Sequence, residues 1–149
     1  MNKLLFAFAA LTLCSAAPIA QAGGYAPVLN TATQPAIVPQ GDQAPEQFVR
    51  QPAVAARLQA LIGPAGYQHL LHNMDVQSQL QNDARTFVIT GCRQHDCPAN
   101  GFVLAYDRLH DALRVWRVAD GHVSAASEAT WHGAPLHGDT LQYIRALGQ

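Results

Sequence analysis

The residues best suited to chemistry in this 149-residue chain fall in one short stretch, Gly91-Cys92-Arg93-Gln94-His95-Asp96-Cys97-Pro98-Ala99-Asn100-Gly101. A Cys-x-x-x-x-Cys pair lacks the two-residue spacing and helix N-terminus that depress a thiol pKa in redox enzymes, so dithiol chemistry is disfavoured. Zinc fares no better. Cys92, His95 and Cys97 are one ligand short, and they stand too close in sequence to wrap a tetrahedral ion. A structural crosslink between Cys92 and Cys97 is the default reading. Between them lie Arg93, Gln94, His95 and Asp96, four polar residues with no evident core role. That is the composition of a recognition loop displayed on a rigid scaffold.

The other candidates are weaker. His69 and His72 have helical i, i+3 spacing and could hold a metal, but such pairs are far more often surface residues. His110, His122, His132 and His137 fall in turns or at strand ends and read as solvated. Ser124 and Ser127 lack the setting of a nucleophile elbow, and no carboxylate pair stands in a recognisable frame. The reading is therefore a protein that is not an enzyme, with no cofactor and no metal.

The elements that must position the loop follow from periodicity. Thr86 to Thr90 and Phe102 to Tyr106 are rich in β-branched and aromatic residues and predict the two strands on either side of it. Val76 to Leu80 alternates as an edge strand, and Asn82-Asp83 turns the chain toward Arg85. Leu113 to Val118 alternates with apolar residues on both faces, which predicts a strand covered on each side. Asp120-Gly121 is a hairpin signal, and a further strand starts at His122. A short turn from Pro45 precedes a helix from Pro52 to Ile62, stopped by Gly63 and Pro64. Gly66 to Met74 predicts a second short helix, and Asp139 is placed to cap a C-terminal one closed by Gly148. The fold class is α+β, an antiparallel meander of about five strands flanked by helices, with a disulfide-closed protruding loop.

The first 22 residues read as an export signal: Lys3, an apolar run from Leu4 to Leu13 too short to span a membrane, and Ala20-Gln21-Ala22 as cleavage site. Lipoprotein processing at Cys14 is the rival, disfavoured because Leu13 is not small. With cleavage after Ala22 the remaining cysteines are an even pair in an oxidising compartment. Residues 23–44 carry scattered prolines without apolar periodicity and read as a flexible leader, and 45–149 as a single domain. The mature chain keeps eight arginines against ten acids, so it has no electrostatic footprint for nucleic acid. No second hydrophobic segment suggests a membrane after signal cleavage. A homodimer is left open.

The stretch from Cys92 to Cys97 resembles the Cys-Lys-Pro-His-Asp-Cys loop of the Ivy family, bacterial periplasmic inhibitors of vertebrate (C-type) lysozyme. Cys92, His95, Asp96 and Cys97 stand at the family positions, and the resemblance extends from Pro45 to Leu147. Arg93 replaces the family lysine and Gln94 the family proline, so one rigid φ angle is lost. The resemblance implies a periplasmic inhibitor that inserts this loop into the lysozyme active-site cleft, with C-type lysozyme as partner. It assigns His95 to the two cleft carboxyls and Asp96 to polar groups lining the cleft, with Arg93 at the rim. An Asx-type bond from Asp96 to its own loop backbone is an equally good reading of that residue, compatible with the first. The alternative overall is an Ivy-fold paralogue without lysozyme inhibition, serving another periplasmic partner or acting like a chaperone.

Overall fold

A computed structural model describes Ile37, Pro39, Gly41 and residues 43–97 and 99–149. Two helices lead into the sheet: α1 (Pro45–Val49) and α2 (Pro52–His72), each with its proline in the first turn, where the missing N–H is no loss. As expected, α2 is really two helical segments. Gly63 interrupts it at φ 73°, ψ 162°, a backbone conformation essentially reserved for glycine, with Pro64 following. The chain then makes five strands, β1 (Val76–Asn82), β2 (Thr86–Cys92), β3 (Gly101–Asp107), β4 (Ala112–Ala119) and β5 (His122–Ser127), before α3 (Gly138–Ala146). All neighbours pair antiparallel in the order β1-β2-β3-β4-β5, so the α+β meander is as expected. Among the described residues no helix is long and apolar enough to cross a membrane.

Both faces of the central strands are covered. Phe87, Ile89, Phe102, Leu104, Tyr106, Leu113 and Val115 face α1 and α2, where Phe48, Val54, Leu58 and Leu70 complete the larger core. Val88, Val103, Ala105 and Val118 face the other way, against Tyr143, Ile144 and Leu147. The strictly alternating β4 therefore lies between two layers, as its pattern predicts, and β2 and β3 are buried along their whole length.

Three features depart from the expected chain. Ile37, within the stretch read as leader, is only 3% exposed, and its carbonyl lies 2.9 Å from the Tyr106 hydroxyl. Packing thus reaches back beyond Pro45, through Ile37 and the likewise buried Pro39, which have no periodicity to announce them; residues 1–36 lie outside the described residues. A bulge between Gln79 and Gln81 breaks the alternation of β1 and swings Gln81 to the α3 face. There Gln81 Oε1 accepts from the His137 amide at 2.9 Å and its Nε2 donates to the Pro135 carbonyl at 3.0 Å, anchoring the entry to α3. Finally, α3 begins two residues earlier than Asp139 could cap. His137 is the N-cap without a side-chain bond, and Asp139 sits inside the first turn, where it complements the helix dipole only.

The end of the sheet remote from the β2–β3 connection is tied by charge. Arg57 of α2, with a side chain 4% exposed, donates to Glu128 Oε1 at 2.8 Å, to Glu128 Oε2, and to Asp111 Oδ1 at 2.7 Å. Beside it the buried Asp107 accepts from Arg85 Nε at 2.8 Å, from the Leu109 amide at 3.0 Å and contacts His110 Nδ1 at 2.7 Å. Burial by itself would push the Asp107 carboxyl up; those partners together outweigh it and hold the group well below the usual carboxylate range.

Candidate functional site

The β2–β3 connection emerges from the best-packed part of the sheet. Cys92 ends β2 and is itself buried, and the Cys92–Cys97 disulfide is formed, with Cα atoms 5.5 Å apart. The Asp96 amide donates to the Arg93 carbonyl at 3.1 Å, which closes a four-residue turn over Arg93, Gln94, His95 and Asp96. His95 has φ 65° while φ at Gln94 is not positive, the φ signs that a type II turn requires. Gln94 therefore occupies the second position of the turn, where proline is at home. This gives the family proline a physical role and identifies what its replacement removes: one preset φ angle.

The structure divides the four loop residues. Gln94 and His95 are exposed at the tip, His95 held outward in a left-handed conformation that a non-glycine residue adopts seldom. Arg93 and Asp96 are half-buried and turned to each other, Arg93 Nη1 donating to Asp96 Oδ2 at 3.4 Å. The same Oδ2 accepts from Asn100 Nδ2 at 2.8 Å. The bond to its own loop backbone expected for Asp96 is not among those its carboxylate makes with the described residues; the carboxylate holds the side chains of Arg93 and Asn100 instead.

Two contacts brace the loop from outside the disulfide ring. On the β1 side the Gln94 amide donates to Asp75 Oδ2 at 3.4 Å, a bond that the family proline could not make. On the β4–β5 side Asn100 Oδ1 accepts from the Asp120 amide at 3.1 Å, and the Ala99 carbonyl from the Gly121 amide at 2.9 Å. Underneath, the end of α2 supports the base. Asn73 is fully buried, and its backbone carbonyl approaches β2 so closely that a Cβ at Gly91 would meet it at 2.5 Å. His69, half-buried beside Asn73, is held below the ordinary histidine pKa by burial first and by Arg117 next, so the neutral ring is favoured there.

Sequence reasoning passed over Asn100 and Asp75. The Asn100-Gly101 dipeptide before a strand is a usable turn signal, whereas nothing local marks Asp75. Of the histidines weighed for metal, His69 turns toward Asn73 and His72 lies exposed on α2. Among the described residues no group of three or more His, Cys, Asp or Glu is placed to hold a metal ion.

Comparison with known families returns one model, described as inhibitor of vertebrate lysozyme (Ivy), over residues 53–142. The match spans α2, the five strands, the disulfide loop and the first half of α3. No curated protein and no solved structure matches the chain.

Proposed function

This chain belongs to the Ivy family of inhibitors of vertebrate lysozyme, and from that premise we propose that it is a periplasmic protein that blocks C-type lysozyme by placing the Cys92–Cys97 loop in the active-site cleft. The export signal over residues 1–22, cleaved after Ala22, would deliver it, with 45–149 as the inhibitory domain. The observation that carries the reading is the exposed His95 at the tip of a covalently closed turn with braces on both sides.

The chemistry is complementary. Lysozyme keeps one carboxyl protonated at a raised pKa and a second ionised nearby, so its cleft offers a hydrogen-bond donor and an acceptor side by side. A neutral imidazole is the one side chain that accepts with one ring nitrogen and donates with the other, which suits His95 to bridge them. Asp96 reaches the cleft wall with whatever acceptor capacity its internal bonds leave, and Arg93 and Gln94 contact the rim. Preorganisation matters because a floppy loop would forfeit binding energy in being ordered.

An inhibition assay against C-type lysozyme, with wild type and His95→Ala side by side, tests this. Wild type is expected to inhibit, and the variant to bind about 2 kcal/mol more weakly, as for a central desolvated anchor. Equal inhibition by the two, with Arg93→Ala inactive, would mean electrostatic docking at the rim instead of a plug. A wild type that leaves lysozyme untouched at its highest soluble concentration would favour the paralogue reading, for which Gln94 in the proline position is the supporting observation.

A further inference from the structure

The disulfide limits how far Cys92 and Cys97 can separate, but it does not set the angle at which the closed ring stands on the sheet. Bonds from outside the ring bear on that angle: the Gln94 amide to Asp75, the Gly121 amide to the Ala99 carbonyl, and those of Asn100, which bonds both toward the ring and toward the β4–β5 turn. Asn100 is 6% exposed and lies between the ring and β3. Its Nδ2 donates to Asp96 Oδ2 at 2.8 Å and its amide to the Asp96 carbonyl at 3.0 Å, while its carbonyl accepts from the Arg93 amide at 3.2 Å. Its Oδ1 faces the other way and accepts from the Asp120 amide at 3.1 Å, at the β4–β5 turn, where Asp120 and Gly121 take φ 50° and 77°.

We propose that Asn100 is the positioning residue of the loop, fixing the Arg93–Asp96 turn, and with it His95, against the β4–β5 turn. The consequence for inhibition rests on the lysozyme-binding reading; the brace itself does not. The side chain required is narrowly defined. It must donate to a carboxylate at one end and accept from a backbone amide at the other, over the span of a single amide group. Alanine does neither. Aspartate keeps the bond to Asp120 but sets a second carboxylate against Asp96, a like-charge pair that resists double ionisation.

The test uses the full mature chain as wild type, Asn100→Ala and Asn100→Asp, with 15N relaxation of the Gln94 to Cys97 amides and inhibition of C-type lysozyme. Both variants are expected to keep the disulfide and the strand amide shifts, to show loop amides newly mobile on the picosecond to nanosecond scale, and to inhibit at least tenfold more weakly. In Asn100→Asp the mobility should fall again toward acid pH, as the carboxylates at positions 96 and 100 come to share a proton; Arg93 beside Asp96, and His69 and Asp120 beside position 100, face the same pair, so the profile is read against Asn100→Ala, which keeps those groups, lacks the second carboxylate and should show no such fall. A merely structural role would not produce that difference. Loop amides as rigid in Asn100→Ala as in wild type overturn the proposal. So does a mobile loop that inhibits as well as wild type. Should Asn100→Ala fail to fold, pH-independent loop relaxation in Asn100→Asp overturns it instead. A wild type inactive against lysozyme sinks the inhibitor reading alone, and the relaxation data then judge the brace.

Discussion

The two ends of the sheet are held by opposite means. At the loop end the closure is covalent and the hydrogen bonds run mostly through backbone groups, Asp96 and Asn100, which leaves the side chains of His95 and Gln94 exposed at the tip. At the other end the turns are tied down by buried or half-buried charge: Arg57 with Glu128 and Asp111, and Asp107 with Arg85 and His110. A short crosslink presents polar groups without burying them, whereas a buried ion pair consumes the groups it uses. The comparison teaches that charge density does not point to the end proposed for binding. Its densest ionic clusters serve the fold.

The largest effect that can break this comparison is expected from Glu128→Ala. It takes one of two carboxylates from the buried Arg57 guanidinium, leaving Asp111 alone against it, and also removes the acceptor of the Leu113 amide, 2.8 Å away. The loss of stability should be about 3–5 kcal/mol by denaturant unfolding, with inhibition by the folded fraction unchanged. An unfolding midpoint equal to wild type would show the cluster to be idle.

Acid should find the same end. Asp107 is held below the usual carboxylate range in the folded state, so its contribution is complete above the unfolded-state pKa of about 4 and is lost as pH falls from there through the folded value. Thermal melts from pH 7 to pH 2 should drop below about pH 4, and the drop should be shallower in Asp107→Asn, which is less stable at neutral pH. An identical pH profile in the variant would remove Asp107 from the account.

His95→Ala reverses the pattern, with stability within about 0.5 kcal/mol of wild type and binding weakened as above. A comparable loss in both measurements would mean that the tip is part of the fold, and the contrast between the ends would collapse.

The smallest effect sharpens the loop end. Gln94→Pro restores a preset φ at the second position of the turn, where φ is not positive, and should improve stability and inhibition by about 0.4–1 kcal/mol. It also deletes the long bond to Asp75. Weaker inhibition by this variant would show that the Asp75 brace outweighs the rigid angle.

Much of this molecule was written locally. Alternation and β-branched runs determined the five strands, Gly63-Pro64 the break in α2, and the even cysteine pair with His95 and Asp96 between them the loop and its family resemblance. Each is a property of residues within a few positions of one another, and so is readable along a string. Tertiary structure alone decided the rest. It chose which loop residues point out, because Asp96 is drawn inward by Asn100 and Asn100 in turn by Asp120. It brought Arg57 to Glu128 across 71 positions and Ile37 to Tyr106 across 69, and it turned Gln81 inward through a bulge. Those outcomes depend on partners that become neighbours only once the sheet has formed, and no local pattern encodes the distance at which a buried charge or a single apolar side chain finds its counterpart.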